Sequence, residues 1–364
     1  MKIQRLETYT RENLSIVKVR TDDGAEGFGQ ISPFNADISA TVFHRQVAPH
    51  ALGKDATQLD RLADDILEAT YKFPGSYVCR ALCGLDTALW DLRGRLEGKS
   101  VAELLGAEPG AMLTPYGSSM SRTITPEDEA ARLADLRERH GFRAFKIRIG
   151  SVNGHDRDQW PGRTEALVPT VRRAIGDDVA LKVDGNSCYT PLKAIQVGRF
   201  LEDHAVGHFE EPCPYWKLEW TAEVARALDL PVAGGEQDYD LEQWRRIIDG
   251  RVVDIAQPDI CYIGGLTRCL RAARMAAEAG IPVVPHSANL SMVTIFTMHM
   301  LAAIQNAGPH FEFSIERTPW TDGLYTPALE VRDGQVAVPD APGWGVEISP
   351  EWLASADRQV SELS

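Results

Sequence analysis

The sequence lacks the features that mark membrane-spanning, disulfide-stabilised and nucleic-acid-binding proteins. No apolar run reaches the roughly 18 residues that a membrane helix requires. The 364 residues include six cysteines and no Cys-x-x-Cys pair, which is typical of reduced thiols rather than a disulfide framework. No basic run occurs, and 52 acidic against 38 basic side chains give a net charge of −14, which argues against nucleic acid as a partner.

The amino terminus also lacks the apolar segment of a secretory signal, since it reads Met1-Lys2-Ile3-Gln4-Arg5. With 44% hydrophobic and 25% charged residues, the composition is that of an ordinary globular protein. The sequence therefore predicts an acidic cytoplasmic protein. Its length allows roughly two domains, or one large α/β barrel with an appendage.

The first part of the chain has the pattern of a small α+β unit. Residues 14–19 alternate as a strand does, and the turn residues Asp22-Asp23-Gly24 follow them. Further on, one helical face collects the apolar residues Val78, Leu82, Leu85, Leu89 and Leu92. We assign residues 1–112 to this unit.

From residue 113 onwards the pattern changes to short apolar runs separated by amphipathic helical stretches. Eight runs read as strands: 113–116, 144–149, 180–183, 208–210, 231–233, 253–257, 282–284 and 311–315. Repeated βα units form a parallel sheet, and eight of them can close into a barrel. We assign the barrel to residues 113–324, and residues 325–364 to a Gly- and Pro-containing segment that returns to the amino-terminal unit.

Carboxylates follow three successive strands of the predicted barrel. Asp184, Glu210 and Glu236 recur at equal intervals, each at the end of its strand. The ends of parallel barrel strands share one face, where such folds keep their chemistry. Three converging carboxylates repel one another unless a divalent cation neutralises them, and hard oxygen ligands favour Mg²⁺ over zinc.

Further charged residues belong to the same face. Lys146 and Arg148 lie on one side of the second strand, facing the carboxylates, with a structural ion pair as the alternative reading of Lys146. His286 and Asp259 end neighbouring strands and form a plausible base with its orienting partner. Glu312, on the last strand, points into the barrel mouth as a hydrogen-bond donor or acid.

Taken together, these residues resemble the enolase superfamily, mandelate racemase subgroup, over the whole chain. The resemblance includes the cap-helix motif Gly84-Leu85-Asp86-Thr87-Ala88-Leu89-Trp90-Asp91 and the run Ile263-Gly264-Gly265. It implies a modified (β/α)7β TIM-type barrel under an α+β capping domain built from both termini. It also implies a homo-oligomer that removes the α-proton of a small carboxylate substrate, with Mg²⁺ bound by Asp184, Glu210 and Glu236.

The same resemblance assigns roles to the other rim residues: Asp259 orients His286, and Glu312 donates to the substrate carboxylate. One position departs from the family pattern, because the second lysine of the usual Lys-x-Lys motif is Arg148 here. A guanidinium is a poor base near neutral pH, so racemisation lacks its second base.

The sequence therefore favours an acid-sugar dehydratase. In this hypothesis His286 takes the α-proton, and loss of the β-hydroxyl yields a 2-keto-3-deoxy acid. His286 itself, Lys146 or Tyr262 would assist departure of the hydroxide. An epimerase, racemase or cycloisomerase acting on a related carboxylate is the alternative, with Lys146 or a cap residue as second base. A non-catalytic metabolite-binding barrel is a third hypothesis.

Several residues are candidates for binding the substrate. Lys182 and Asn186 flank Asp184, although Lys182 is equally explained as a structural partner of the ligand carboxylates. The polar loop 150–162 is either a lid that contributes His155, Arg157 or Trp160 to the substrate site, or a surface or oligomer-contact loop. The same two alternatives, substrate contact or surface, apply to Trp320. Cap segments 27–34 and the region of His44 and His50 are expected to cover the substrate.

Overall fold

The computed structural model describes residues 1–363, and it begins with a sheet and a helical layer that form the cap. The strands of the cap are β1 (Ile3–Arg11), β2 (Leu14–Thr21) and β3 (Glu26–Ile31). Its helices are α1 (Ala36–Val42), α2 (Ala48–Ala51), α3 (Leu59–Ala69), α4 (Gly75–Glu97) and α5 (Val101–Leu104), with a π-helical turn over Phe43–Val47. The predicted hairpin and the predicted long helix are both present.

The long helix α4 packs directly on β3, and glycine makes the close approach possible. A Cβ atom on Gly29 would lie 2.4 Å from the backbone nitrogen of Ala88, closer than any side chain tolerates. The buried Asp91 accepts a 2.8 Å hydrogen bond from the amide of Phe28 and so ties the helix to the strand. This interface fixes the position of α4 within the cap.

The middle of the chain alternates strands with helices. The elements in chain order are β4 (Met112–Leu113), β5 (Pro115–Ser118), α6 (Pro126–His140), β6 (Ala144–Arg148), α7 (Arg163–Ile175), β7 (Ala180–Asp184), α8 (Pro191–Glu202), β8 (Val206–Glu210), α9 (Leu218–Ala227), β9 (Val232–Gly234), α10 (Leu241–Asp249), β10 (Ile255–Ala256), α11 (Ile260–Ile263), α12 (Leu266–Glu278), α13 (Met292–Ala303) and β11 (Phe311–Ser314). Seven strands form one parallel sheet in the order β10-β9-β8-β7-β6-β5-β11. This curled sheet and the cap confirm the predicted barrel fold.

The predicted seventh strand, 282–284, is reduced to isolated bridges. Val283 pairs with Ala256 on one side and with Ala307 on the other, which closes the gap between β10 and β11. The predicted first strand, 113–116, is also shifted. Met112–Leu113 pairs outside the barrel with β13 (Val336–Ala337), so the barrel strand starts only at Pro115.

The last part of the chain contacts both regions. It contains β12 (Tyr325–Thr326), β13, β14 (Glu347–Ile348), α14 (Pro350–Ala354) and β15 (Asp357–Glu362). Strand β15 pairs antiparallel with β1 and becomes the edge of the cap sheet. None of the described helices is both long and apolar enough to cross a lipid bilayer.

The region of His44 is held against the cap sheet. The His44 ring lies 2.9 Å from the hydroxyl of Thr8 and 2.8 Å from that of Ser361. Its two ring nitrogens therefore contact β1 and the edge strand β15, and its expected role in covering the substrate stays a prediction.

Candidate active site

The register of the parallel sheet brings the charged residues together at one end of the barrel. Lys146 is the register partner of Lys182, Arg148 of Asp184, and Asp184 of Glu210. Because side chains alternate along each strand, these residues point to the same side of the sheet. The barrel interior therefore holds a layer of lysines beneath a layer of alternating acidic and basic groups.

Lys146 is fixed between two carboxylates and is fully buried. Its Nζ lies 2.7 Å from Glu210 Oε1 and 2.9 Å from Glu312 Oε1. Burial lowers the pKa of Lys146, but the two carboxylates outweigh it and raise the pKa well above the ordinary value. Lys146 is thus a permanent cation at the floor of the site.

Glu312 is buried and accepts hydrogen bonds from Ser118 Oγ at 2.7 Å and from the Ser287 amide at 2.7 Å. Burial raises the pKa of Glu312, whereas the cation of Lys146 lowers it by more, to about 2. This environment favours the carboxylate form, which accepts hydrogen bonds and pairs with Lys146. The expected role of Glu312 as a donor to the substrate carboxylate stays a prediction.

Arg148 lies at the opposite side of the mouth from His286 and is tied down by polar partners. Its guanidinium forms an ion pair with Asp184, donates to Asn186 Oδ1 at 2.9 Å and to the Ser119 carbonyl at 3.1 Å. Arg122 donates to the same Asn186 oxygen at 2.7 Å. Two guanidiniums therefore converge on one amide oxygen.

Asn186 has a backbone reason to sit at this point. Its φ of 40° is left-handed, a conformation that asparagine tolerates better than most residues, and its amide nitrogen donates to Asp184 Oδ1 at 2.7 Å. The turn after β7 thereby presents Asp184 and Asn186 side by side at the strand end.

Two further carboxylates complete the acidic side of the mouth. Glu236 follows β9, accepts from Gln237 Nε2 at 3.0 Å and lies 3.5 Å from His286 Nε2. Glu211 is buried beside it, and its Oε1 has no hydrogen-bond partner. Burial, followed by the charges of Glu236 and Glu210, raises the pKa of Glu211 to about 8.

The three predicted metal ligands share this rim, yet each is turned towards its own nitrogen partner: Asp184 to Arg148, Glu210 to Lys146, and Glu236 to Gln237. Among residues 1–363, no three acidic, histidine or cysteine side chains form a ready-made metal-binding group. The chemistry of the donor set nevertheless fits a hard divalent cation, because all are carboxylate oxygens and the buried Glu211 Oε1 lacks a partner.

His286 and Asp259 form a dyad across two loops. The Nδ1 of His286 lies 2.7 Å from Asp259 Oδ2, while Oδ1 of Asp259 accepts from the amides of Cys261 and Tyr262 at 2.6 and 3.0 Å. Asp259 is therefore the N-cap of the short helix α11, which fixes its direction. With Nδ1–H donating to Asp259, Nε2 is the ring nitrogen that can gain or lose a proton, and it faces the acidic side of the mouth.

Burial lowers the pKa of His286, but the surrounding carboxylates, led by Glu236, outweigh it and raise the pKa to about 10. This environment favours the imidazolium form of the ring. The ring is buried, so the groups that face it are these carboxylates and Tyr262, whose ring centroid is 5.8 Å from that of His286.

A cavity of about 630 Å³ lies between the cap and the barrel, and its lining residues Tyr262 and Gln237 also contact His286 and Glu236 respectively. The cap contributes Phe34 and Arg80, and the barrel loops contribute Tyr215, Gln237 and Tyr262. Trp320 packs edge-on against Phe34, with ring centroids 5.7 Å apart, but does not itself line the cavity. Its expected contact with the substrate stays a prediction.

Three predicted substrate residues lie elsewhere. Lys182 is one layer deeper, with its Nζ 4.1 Å from the centre of the Tyr116 ring and no polar partner in the described structure. His155 is exposed on its loop, and Trp160 is 37% exposed and stacks near Arg163. Neither of these two loop residues lines the cavity, because Asp156 binds the amide and hydroxyl of Thr190 and holds the loop against the barrel wall.

Sequence reasoning missed several residues of the site. Gln257 donates to Glu210 Oε2 at 2.8 Å, and its place directly after a strand was a usable signal. Glu211 was missed because it directly follows Glu210, to which the carboxylate at that strand end was assigned. Arg122, Gln237 and Arg80 belong to loops or to the cap helix, and no spacing along the chain points to them.

The chain belongs to the mandelate racemase/muconate lactonizing enzyme family of the enolase superfamily. Residues 3–106 match the mandelate racemase/muconate lactonizing enzyme N-terminal domain, and residues 128–352 match the enolase C-terminal domain-like family. The resemblance inferred from the motifs is thereby confirmed.

Named relatives extend the comparison. Arabinonate dehydratase of Saccharolobus solfataricus is 29% identical over 91% of this chain and 87% of its own length. L-talarate/galactarate dehydratase of Salmonella typhimurium is 28% identical over 95% of this chain and 83% of its own. A racemase candidate from Roseobacter denitrificans has a solved structure that is 57% identical over the whole of both chains, with a TM-score of 0.98.

One further solved relative holds a metal. A mandelate racemase/muconate lactonizing protein from Paracoccus denitrificans, complexed with magnesium, is 29% identical over 100% of this chain and 99% of its own, with a TM-score of 0.89.

Proposed function

We propose that this protein is a Mg²⁺-dependent hydro-lyase that dehydrates a sugar acid to a 2-keto-3-deoxy acid. The observation that carries the proposal is that a side chain able to act as a base is present on only one side of the barrel mouth in the described structure. His286 offers Nε2 on one side, whereas the other side offers only the guanidiniums of Arg148 and Arg122. One-base elimination fits such a site better than two-base racemisation.

Asp184, Glu210 and Glu236 would hold the cation, with Glu211 beside them. When bound, Mg²⁺ supplies positive charge that stabilises the negative charge developing on the substrate carboxylate. Neutralisation of Glu236 also removes the contribution that raises the pKa of His286 most. The imidazole then comes closer to the range in which a neutral ring accepts protons.

His286 Nε2 takes the proton from carbon 2, and Asp259 keeps Nδ1–H oriented while the ring becomes an imidazolium. The electron pair of the broken C–H bond passes through the enediolate to carbon 3, and the C–O bond at carbon 3 breaks. The imidazolium returns its proton to the departing hydroxide as water. The enol that remains tautomerises to the keto acid, so atoms and charges balance.

Lys146 and Arg148 supply fixed positive charge around the substrate carboxylate in a chain whose net charge is −14. Neither is suited to proton removal, since Lys146 is paired with two carboxylates and a guanidinium keeps its proton near neutral pH.

The names of the relatives support dehydration, because the relatives from Saccharolobus solfataricus and Salmonella typhimurium are both named as sugar-acid dehydratases.

The isomerase alternative has support in the Roseobacter denitrificans relative, which is named as a racemase candidate. It requires a second base, and the side of Arg148 lacks one in the described structure. The two functions differ in product, so one experiment separates them.

The experiment incubates the enzyme with Mg²⁺ and a panel of aldonic and aldaric acids in deuterated buffer. Keto-acid product is measured chemically, and exchange at carbon 2 by proton NMR. We expect keto acid from one stereochemical set, and loss of product when EDTA replaces Mg²⁺. A new stereoisomer without keto acid would establish the isomerase, and neither product nor exchange with any acid would overturn both.

A further inference from the structure

We infer that Arg80 binds a second carboxylate at the far end of the substrate, so the preferred substrates are aldaric diacids rather than aldonic monoacids. This inference rests on the proposed function, because it names the substrate class of the same site. It begins from a cation in the cap that the mechanism above does not use.

Arg80 lies on α4, the helix that the glycine contact with β3 fixes in place. Its guanidinium carbon stacks 3.6 Å from the centre of the Tyr262 ring, and Nη1 donates to Ser32 Oγ at 2.7 Å. No Asp or Glu among residues 1–363 forms an ion pair with it. Arg80 is therefore a positioned cation with donors to spare, since a guanidinium carries five.

The surroundings favour an anion. Nine residues line the cavity between the cap and the barrel, and none of the nine is acidic although the chain carries 52 acidic side chains. Arg80 is its one basic lining residue. An acid-free cavity with one stacked arginine is the environment in which a carboxylate is bound by paired N–H donors.

The position of the cavity links Arg80 to the chemistry. Tyr262 touches both groups, because its ring lies against Arg80 on one side and 5.8 Å from the His286 ring. Gln237 also belongs to both places, as it lines the cavity and donates to Glu236. The cavity that Arg80 lines thus adjoins the dyad through these two shared side chains.

The length of a sugar acid sets how far from the reacting carbon a second carboxylate can be bound. A six-carbon chain has five carbon–carbon bonds of about 1.5 Å, so its ends lie roughly 6 Å apart when extended. With carbon 1 at the metal-ligand side and carbon 2 at His286, the sixth carbon extends along Tyr262 towards the guanidinium. A carboxylate there gains a charge-assisted pair, whereas the hydroxymethyl group of an aldonate does not.

The test compares matched acid pairs that differ only at carbon 6, such as galactarate with galactonate and glucarate with gluconate, in the wild type and in Arg80→Gln. We expect the wild type to prefer the diacid of its reactive pair. In Arg80→Gln, kcat/KM for that diacid falls roughly 100-fold, mainly through KM, while the value for the monoacid changes less than about threefold. Arg80→Lys restores part of the preference because it keeps the charge.

Arg93→Gln is the matched control. Arg93 belongs to the same helix, lies over the Trp90 ring at 5.7 Å and pairs with Glu97, but it is exposed and outside the cavity. This variant leaves both substrates unchanged. Because each variant is judged by its ratio of diacid to monoacid, a smaller fraction of folded protein does not mimic the result.

Binding to a His286→Asn variant, measured by calorimetry with Mg²⁺ present, tests the inference without turnover. Tighter binding of the diacid that disappears on adding Arg80→Gln supports it. Equal binding of the two acids, or an equal loss for both in Arg80→Gln, overturns it. Keto acid from a monoacid, without diacid preference, overturns the role of Arg80 and leaves the proposed dehydration standing. A diacid preference in binding with no keto acid from any substrate overturns only the dehydration.

Discussion

The two sides of the barrel mouth both carry buried charged groups but differ in the chemistry of those groups. On one side, Asp259 binds Nδ1 of His286 and leaves Nε2 3.5 Å from Glu236. On the opposite side, Arg148 is bound to Asp184, Asn186 and a carbonyl. A guanidinium keeps its proton near neutral pH, so under the proposed function only the side of His286 offers a base.

The largest effect is expected on the side of His286. Replacing His286 with Asn removes the only free base, so keto-acid formation and exchange at carbon 2 fall at least about 1,000-fold. Mg²⁺ binding, followed by calorimetry, remains, since the ligand carboxylates are untouched. Exchange at the wild-type rate would show that the base lies elsewhere.

Asp259→Asn tests how the His286 ring is oriented on the same side of the mouth. The new amide still caps α11 through its oxygen, but its NH₂ group faces Nδ1 and forces the opposite tautomer. We expect kcat to fall roughly 100-fold with KM nearly unchanged, and the melting temperature to stay within a degree or two. A large loss of melting temperature with normal kcat would assign Asp259 a structural role instead.

Glu312→Gln tests the buried charge beneath Arg148. Removing one partner of Lys146 is expected to lower the free energy of unfolding by about 3 kcal/mol at pH 7, measured in urea. The pKa of Glu312 is lowered to about 2, so its contribution is present above the ordinary value of 4.5 and is lost as the pH falls towards 2.

The difference between wild type and Glu312→Gln should accordingly shrink between pH 4.5 and pH 2. Glu330→Gln, in an exposed pair with Arg332, serves as the control and should leave the unfolding curve unchanged. An unchanged curve for Glu312→Gln as well would show that Glu210 alone holds Lys146.

Arg148→Lys tests directly whether the residue on the side opposite His286 decides the number of bases in the site. The substitution places an amine on the second side of the mouth and loses the fork of hydrogen bonds, so dehydration should fall about tenfold. Deuterium should then enter carbon 2 with inversion, which NMR and chiral chromatography detect. Arg122→Lys is the control, since it changes a neighbouring guanidinium that lies farther from Asp184. Inversion in neither variant would place Arg148 away from carbon 2.

Residues that sit at strand ends were predictable, and residues brought in by packing were not. Asp184, Glu210 and Glu236 share a rim because parallel strands end on one face, a rule that sequence spacing carries. Lys182 was expected either to bind the substrate or to be a structural partner of the ligand carboxylates, because alternation gives the side of a strand but not which layer reaches the substrate. Arg80 meets Tyr262 only through the packing of α4 on the barrel, which leaves no trace in spacing.

The outline of the barrel was predictable because its strands alternate regularly with helices along the sequence. The departures from that outline depend on contacts between residues that are distant in the sequence. Val283 makes single bridges where a full strand was expected, since its neighbours Ala256 and Ala307 offer only one pairing each. The loop 150–162 was expected to be either a lid or a surface or oligomer-contact loop. The hydrogen bond that the Thr190 hydroxyl donates to Asp156 joins residues far apart in the sequence, and local composition does not reveal such a contact.

The pairing of β15 with β1 has a consequence for how the chain is made. Strand β1 (Ile3–Arg11) precedes the barrel in the chain, and its partner β15 (Asp357–Glu362) follows it. During translation the outer edge of β1 therefore stays unpaired until the whole barrel has been made. A polypeptide that stops before β15 exposes that edge, which favours aggregation or proteolysis.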